Sequence, residues 1–296
     1  MTYDNQNLPK PLPKPTAPEP PAMPAVHPTG LKFRRLLLTG AAGGLGRELR
    51  TRLKAYCDTL RLSDIAPLGE AAAGEELQPA ALQDGAAVDA LLHEVDAVVH
   101  LGGVSVEGPF EPILQANIVG TYHLYAAARR HGVKRIVFAS SNHVTGFYRQ
   151  DEVIDARMPM RPDGYYGLSK AFGENLAQFY FDRYGIETVS LRIGSSFPEP
   201  KDRRMLATWL SYDDLERLVV SSLTAPVVGH SVIYGLSDNT VRWWDNTPAA
   251  HIGYRPQDSS ERFRPAVEAR QQTLDLNDPV TLYQGGGFVT KGPYED

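Results

Sequence analysis

The sequence predicts an α/β protein with a Rossmann-type, doubly wound parallel sheet and a small C-terminal substrate-binding part. Two observations predict this fold class. Short strands rich in Val and Ile alternate with helical patterns from Leu31 to Ile193, and a glycine-rich turn follows the first strand. Such alternation gives right-handed βαβ crossovers, which place parallel strands side by side with helices on both faces. The 296 residues, 42% of them hydrophobic, are enough for one large domain or two modest ones.

The predicted elements follow one another in a regular order. Strands are predicted at Leu31–Thr39, Leu60–Ser63, Leu77–Leu82, Ala97–Leu101, Arg135–Ala139 and Thr188–Ile193. Helices are predicted at Arg47–Tyr56, Ala86–His93, Pro112–Arg130 and Gly167–Tyr184. Beyond them the pattern loosens, with a helix at Asp213–Leu223, a strand at Ser231–Gly235 and a short helix near Glu261–Ala269. The third strand contains Pro79, which cannot donate to a strand ladder and therefore belongs at a sheet edge.

Residues 1–30 differ in composition from the rest of the chain. They hold nine of the 23 prolines and almost no apolar periodicity, so we expect a disordered or polyproline-like tail. A proline-rich recognition ligand is the alternative, and a passive tail is favoured. We expect residues 31–195 to form the dinucleotide-binding domain and residues 196–296 to form a smaller, substrate-covering part of the same unit.

Composition excludes several classes of protein. The net charge of −5 gives no basic face for nucleic acid or anionic lipid. No apolar run approaches the roughly 18 residues of a membrane span. The single cysteine, Cys57, excludes an internal disulfide and a thiolate metal cluster, and the histidines lack ligand spacing. We expect a cytoplasmic protein without a metal, a nucleic-acid partner or a membrane partner.

The glycine-rich turn predicts a dinucleotide site. Gly40, Gly43 and Gly46 lie between a strand and a helix, where backbone N–H groups can approach a pyrophosphate closely. Asp64 follows Gly46 by 18 residues, at the end of the next strand, where a carboxylate can accept hydrogen bonds from a ribose diol. A carboxylate repels a 2′-phosphate, so NAD is favoured over NADP. The alternative is a glycine turn that only packs helix on strand.

A possible general base lies on the longest predicted helix. Tyr166 and Lys170 are four residues apart and share a helix face, whereas Tyr165 is four residues from Ser169. We expect the ammonium to lower the pKa of Tyr166 from about 10 toward neutrality. Ser141, at a strand end 25 residues earlier, could hold a substrate hydroxyl for this base. A Tyr and a Lys at this spacing also occur on ordinary solvated helices. A serine at a strand end is more often a helix cap or part of a turn.

Five motifs in this order resemble the extended short-chain dehydrogenase/reductases, which include nucleotide-sugar epimerases and dehydratases. They are the glycine turn, His100-Leu-Gly-Gly103, Asn117-x-x-Gly-Thr121, the Ser141 loop and Tyr166-x-x-x-Lys170. A closer resemblance, over about residues 33–290, is to the bacterial uronate dehydrogenases. It rests on Leu101-Gly-Gly-Val-Ser105-Val-Glu, Ser140-Ser-Asn-His143, Arg161-Pro-Asp-Gly, Arg192-Ile-Gly-Ser195, Arg204-Met-Leu, Trp243-Trp-Asp-Asn246 and Gln284-Gly-Gly-Gly-Phe288-Val.

The resemblance implies an enzyme that transfers hydride from C1 of a pyranose uronate to NAD, giving an aldarolactone. It implies Tyr166 as general base, Lys170 as its partner and ribose ligand, and Ser141 and Asn117 as further catalytic residues. The implied substrate residues are Ser105, Ser141, Asn142, His143, Ser195, Arg204 and Phe288. The implied cofactor residues are Gly40, Gly43, Gly44, Leu45, Gly46, Asp64, Leu82, Leu101, Gly102, Gly103, Tyr166 and Lys170.

Two positions leave alternatives open. Relatives carry an Asp that bonds the adenine amine where this chain has Ala81, so either Asp84 substitutes or packing alone holds the adenine edge. The Arg204 guanidinium could pair bidentately with a substrate carboxylate, but it stands in the charged run 201–204, and Arg203 is its rival.

Other function classes remain. They are a nucleotide-sugar epimerase or dehydratase that retains NAD, and a non-catalytic NAD(H)-sensing protein. The resemblance also implies a homo-oligomer. The preferred uronate, its anomer, the number of subunits and the role of the tail are left open by the sequence.

Overall fold

The structure is a computed structural model that describes residues 33–270, 275, 277–292 and 294. The tail predicted at residues 1–30 lies outside these described residues. The described residues belong to one compact unit.

The strands and helices alternate through the first two thirds of this unit. The strands are β1 (Phe33–Thr39), β2 (Cys57–Ser63), β3 (Glu75–Leu77), β4 (Ala97–His100), β5 (Arg135–Ser141), β6 (Ile154–Asp155), β7 (Glu187–Ile193), β8 (His230–Gly235) and β9 (Trp244–Asp245). The helices are α1 (Gly44–Arg52), α2 (Gly85–Leu91), α3 (Phe110–Ile113), α4 (Gly120–His131), α5 (Tyr165–Tyr184), α6 (Arg203–Thr208), α7 (Tyr212–Thr224), α8 (Arg264–Arg270) and α9 (Pro279–Leu282).

Seven of these strands form one parallel sheet in the order β3-β2-β1-β4-β5-β7-β8, and β6 pairs with β9 separately. Successive side chains of a strand point to opposite faces, so the two faces carry separate cores. Leu36 and Leu38 of β1 pack in the core that includes Leu49 of α1. Leu37 packs on the other face with Leu124 of α4 and Ala177 of α5. Helices cover both faces, which confirms the doubly wound fold class.

The third strand was predicted at the wrong place. We expected Leu77–Leu82, but β3 spans Glu75–Leu77. The last ladder bond beside it runs from the Gln78 N–H to the Leu62 carbonyl, and Pro79 has no N–H to continue the ladder. The strand uses charged residues instead of apolar ones because Glu75 pairs with Arg50 at 2.7 Å along the sheet edge.

The C-terminal segment returns to the loop that follows β5. The Gln284 side chain accepts a hydrogen bond from Trp244 Nε1 at 2.8 Å and donates to the Arg149 carbonyl at 2.8 Å. The next residue, Gly285, donates its N–H to the Gly146 carbonyl at 2.9 Å. These bonds hold the segment around residues 284–288 against the carboxyl end of the sheet, where the candidate site lies.

A buried ion pair connects α5 with β7 beneath that end of the sheet. Arg192 Nη2 lies 2.8 Å from Glu174 Oε2, and both side chains are at most 1% exposed. The Ser140 hydroxyl also donates to Glu174, at 2.5 Å. Since each charge is fully desolvated, neither can lose its partner without leaving an uncompensated charge in the core.

We predict that Glu174→Gln lowers the free energy of unfolding by about 3–5 kcal/mol, because it leaves the Arg192 guanidinium buried without its counter-charge. Urea unfolding followed by tryptophan fluorescence measures this change. Asp151→Asn is the control, since Asp151 pairs with Arg149 at the surface, and we expect no measurable change there. Wild-type stability in the Glu174 variant would contradict the claim that the buried Arg192 needs this counter-charge.

Candidate active site

A cavity of about 620 Å³ lies at the carboxyl ends of the central strands. In parallel α/β sheets this edge is where ligands bind. All twelve cofactor residues named from the sequence line it, and so do two of the other predicted site residues, Ser105 and Ser141. The twelve are Gly40, Gly43, Gly44, Leu45, Gly46, Asp64, Leu82, Leu101, Gly102, Gly103, Tyr166 and Lys170.

The glycine turn forms one wall of this cavity. Gly40 has φ of +70°, and a Cβ there would lie 2.7 Å from the backbone N of Gly102. A Cβ on Gly46 would lie 2.0 Å from the Gly40 carbonyl oxygen, so helix α1 can begin here only without side chains. At Gly44 a Cβ would meet no atom within 4 Å, which leaves room for a phosphate at the helix N-terminus.

Asp64 is held beside the glycine turn by backbone donors. Its Oδ2 accepts from the Ala42 N–H at 3.0 Å, and its Oδ1 accepts from the Ala66 N–H at 2.9 Å. Each carboxylate oxygen has a second lone pair. The carboxylate is therefore fixed in direction and can still accept hydrogen bonds from a diol in the cavity.

Asp84 does not occupy the place of the acid that Ala81 lacks. It is the N-cap of α2, where Oδ1 accepts from the N–H groups of Ala86 and Ala87, both at 3.0 Å. Asp84 Oδ1 is engaged at the helix end, and Asp84 is absent from the cavity lining, where Gln83 stands instead. Gln83 was not among the predicted site residues, although its position one residue after Leu82 could have indicated it.

Helix α5 begins at Tyr165, two residues before the predicted start, because a distant carboxylate caps it. Glu107 accepts from the Tyr165 N–H at 3.0 Å and from the Tyr166 N–H at 2.8 Å. Glu107 is buried, and a Cβ on Gly164 would lie 2.2 Å from its Oε2. The negative charge is also favourable at the positive end of the helix dipole. No local sequence signal predicts this cap, because Glu107 lies 58 residues before Tyr165.

Tyr166 and Lys170 both lie buried on one face of α5, as their spacing predicted. Lys170 Nζ lies 5.7 Å from the centre of the Tyr166 ring. The expectation that the pKa of Tyr166 would be lowered was wrong. Burial raises the pKa of Tyr166 to about 12, although the Ser141 hydroxyl opposes this shift. Burial also lowers the pKa of Lys170 to about 8, so the ammonium charge is itself disfavoured at this site.

Asn117 fixes the loop between β4 and α3. Its Oδ1 accepts from the Val104 N–H at 2.8 Å, and its Nδ2 donates to the Val104 carbonyl and to Ser169 Oγ, both at 2.9 Å. It lies in a π-helical turn at Leu114–Val119, a geometry that often marks functional sites. Asn117 therefore joins the loop that carries Ser105 to α5.

The remaining predicted substrate residues form a second group next to Tyr166. The rings of His143 and Phe288 stack with centres 3.8 Å apart, and the His143 and Tyr166 centres are 5.8 Å apart. Arg204 donates from Nη1 to Ser195 Oγ at 3.3 Å and from Nε to the Gln284 carbonyl at 2.6 Å.

Asn142 also belongs to this second group. With its amide oriented by the surrounding hydrogen bonds, its side-chain oxygen accepts from Arg204 Nη2 at 2.8 Å, and its nitrogen donates to the Ile193 carbonyl. The structure thus brings together all five residues, Asn142, His143, Ser195, Arg204 and Phe288.

Arg204 is a guanidinium without a carboxylate partner within the part of the chain that the structure describes. Burial lowers its pKa, and the charges of Asp202 and Asp163 oppose this shift only from a distance. A desolvated cation of this kind binds a planar anion strongly. Of the two rival arginines, Arg204 is the one joined to Ser195 and Asn142, which favours it as an anion ligand.

Two further observations concern the described residues as a whole. Nowhere in residues 33–270, 275, 277–292 and 294 do three His, Cys, Asp or Glu side chains come together in a way that could hold a metal ion. None of the helices in these ranges combines the length and apolar character that a membrane crossing requires.

Comparison with known proteins places this site in a family. Residues 36–223 match the NAD dependent epimerase/dehydratase family. The chain is 62% identical to the uronate dehydrogenase of Pseudomonas putida, covering 90% of this chain and 99% of that one. It is 60% identical to the uronate dehydrogenase of Pseudomonas syringae, over 93% of this chain and 100% of the relative.

A crystal structure of uronate dehydrogenase from Agrobacterium tumefaciens superposes with a TM-score of 0.87 at 49% identity, covering 89% of this chain and 99% of that chain. A mutant of the same enzyme, complexed with NAD, gives the same TM-score and identity. The chain therefore belongs to the NAD dependent epimerase/dehydratase family and, within it, to the uronate dehydrogenases.

Proposed function

We propose that this chain oxidises a hexuronate, galacturonate or glucuronate, at C1 to the aldarolactone with NAD. The observation that carries the proposal is the partly buried Arg204 guanidinium, which Ser195 and Asn142 orient and which has no carboxylate partner among the described residues. It belongs to the group of residues that lies next to Tyr166. A uronate has both features that this arrangement needs, a carboxylate at one end and an oxidisable C1 hydroxyl at the other.

The cavity residues fit NAD, which supplies the hydride acceptor when it is bound. The open space at Gly44 suits the pyrophosphate, and Asp64 suits the adenosine ribose diol. The Asp64 carboxylate disfavours the 2′-phosphate of NADP. Gln83, Leu82 and packing would hold the adenine edge, because Asp84 caps α2.

The catalytic residues have distinct roles in this proposal. Ser141 orients the C1 hydroxyl, and Tyr166 Oη takes its proton while C1 loses its hydride. Lys170 stabilises the phenolate and binds the nicotinamide ribose. Burial raises the pKa of Tyr166 to about 12, so the phenolate becomes more abundant as pH rises. Asn117 supports the site by holding the Ser105 loop on α5.

We also propose how the chain divides these tasks. Residues 31–195 supply the cofactor residues, and residues 196–296 cover the substrate, which is supported by the contribution of Arg204 and Phe288 from that part. We propose a cytoplasmic location, because a single buried cysteine suits a reducing compartment. Cell fractionation tests this location, and recovery in a secreted fraction would contradict it.

A homo-oligomer is proposed from the outer face of α5. Tyr165, Leu168, Phe172 and Phe179 are each 36–49% exposed, and their spacing places them on one side of the helix. An apolar helix face of this kind packs against another apolar surface in preference to water. A second copy of the same face is the proposed occupant, since a two-fold axis brings identical patches together.

The central prediction is that purified protein forms NADH from NAD and glucuronate or galacturonate, and that Tyr166→Phe abolishes this turnover. The variant loses only the ionisable oxygen, so NAD affinity should remain near the wild-type value. The wild-type rate should also rise with pH as Tyr166 loses its proton. Turnover of a nucleotide-sugar without NADH would overturn the proposed function, and substantial activity in the variant would overturn the choice of base.

For the anion site, we predict that Arg204→Lys raises the KM for uronate by about tenfold to hundredfold while the KM for NAD is unchanged. Lysine retains the charge but loses the planar fork, and hydrogen bonds to charged groups contribute about 1.5–3 kcal/mol. Arg203→Lys is the matched control, for which we expect a wild-type KM. An effect in the Arg203 variant only would move the carboxylate site to Arg203.

For the α5 face, we predict that Leu168→Glu converts the oligomer to a smaller species, because a charge would be buried in each copy of the contact. Light scattering coupled to size-exclusion chromatography measures the mass. Val227→Glu, at another exposed apolar residue, is the control that should leave the mass unchanged. A wild-type monomer, or an unchanged oligomer in Leu168→Glu, would contradict this contact.

A further inference from the structure

A buried carboxylate that the mechanism above does not use lies beside His143. Asp163 Oδ2 is 2.7 Å from His143 Nδ1, and the Asp163 side chain is fully buried. The backbone N–H of Asp163 also donates to the His143 carbonyl at 3.3 Å. Its other oxygen, Oδ1, is buried without a hydrogen-bond partner within the described residues. The carboxylate is thus directed at the imidazole alone.

Backbone from two other segments fixes this carboxylate in place. A Cβ on Gly146 or on Gly285 would lie 1.9 Å from Asp163 Oδ2. The absence of side chains at these two positions lets the loop after β5 and the C-terminal segment close tightly around the carboxylate. Asp163 therefore has no space in which to rotate away from His143.

The partner determines which nitrogen of His143 carries the proton. An ionised carboxylate only accepts hydrogen bonds, so Nδ1 must be the protonated nitrogen. Burial lowers the pKa of His143, and the charge of Arg204 acts in the same direction, while Asp163 and Glu107 oppose them. A neutral ring with its proton on Nδ1 presents a lone pair at Nε2.

The orientation of that lone pair is also fixed. Phe288 stacks on the His143 ring at 3.8 Å, and the Tyr166 ring meets it edge-on at 5.8 Å. Among the residues that the structure describes, no group bonds to His143 Nε2. A rigid acceptor is therefore available beside the general base, whereas Arg204 in the same group of residues is purely a donor.

We propose that Asp163 is a positioning residue that holds His143 in the Nδ1–H tautomer, so that Nε2 accepts a hydrogen bond from a substrate hydroxyl. This inference rests on the proposed function and deepens it. Arg204 selects the carboxylate end of the sugar acid, and His143 selects an end that carries a hydroxyl donor. A substrate placed in reverse would set its carboxylate against the lone pair of Nε2, so the two residues together fix one orientation.

The direct test is ¹⁵N NMR of histidine-labelled protein, with the His143 signals assigned from their loss in His143→Gln. We expect a protonated Nδ1 and an unprotonated Nε2 in the wild type. Asparagine has the size of aspartate but carries both a donor and an acceptor, so Asp163→Asn should shift the tautomer toward Nε2–H. Asp202→Asn is the control, because Asp202 caps α6 without touching His143, and the His143 signals should not move.

The kinetic test uses the same variant with the full enzyme. We expect Asp163→Asn to raise the KM for uronate about threefold to tenfold, the loss of one ordinary hydrogen bond, while NAD affinity is unchanged. A wild-type Nε2–H signal, or an unchanged KM in Asp163→Asn with the tautomer shifted, would overturn the inference. The NMR signals need no substrate, so they decide this inference even where uronate oxidation itself fails.

Discussion

The hydrogen bond from the Tyr166 N–H to Glu107 is the interaction on which the rest of the site depends. It holds the first turn of α5 against the loop that carries Ser105, so Tyr166 and this wall of the cavity share one anchor. Asp163 fixes His143, whose ring lies edge-on to the Tyr166 ring. Two buried carboxylates thus fix the surroundings of Tyr166, one at the start of α5 and the other on the neighbouring His143 ring. A local cap could fix the helix start, but it could not join the helix to the neighbouring loop.

The described residues of this site supply no negative charge to pair with Arg204, and in the proposed function the substrate carboxylate supplies it. The Glu174–Arg192 pair beneath the sheet edge is complete, with two charges that satisfy each other. Arg204 is desolvated and bonded only to neutral oxygens of the described residues, which is unfavourable until an anion arrives. The free energy of that missing contact is therefore available to substrate binding. A buried, unpaired guanidinium favours an acid over a neutral sugar, which is why the proposed anion site rests on burial and not on the number of basic residues.

Features that depend on a local sequence pattern were predicted from the sequence. Features that depend on contacts between residues far apart in the chain were not. Strand and helix alternation predicted the fold class, because it is a local pattern, and the twelve residues predicted to bind the cofactor all line the cavity. Their role in cofactor binding stays a prediction. The third strand was wrong, since charged residues paired by tertiary contacts replaced an apolar pattern. The cap at Glu107 could not be read locally, because the cap and the helix lie far apart in sequence. The predicted direction of the Tyr166 pKa shift was wrong, because burial, which spacing does not report, raises this pKa.

The central claim is that Arg204 binds the carboxylate of a sugar acid that is oxidised at C1. The most direct test compares kcat/KM for glucuronate with that for glucose, which has a hydroxyl where glucuronate has its carboxylate, by following NADH absorbance. The account predicts that glucuronate exceeds glucose by about tenfold to hundredfold or more, the value of hydrogen bonds to a charged group. Equal values for the two sugars would contradict it, because the guanidinium would then contribute nothing to substrate choice.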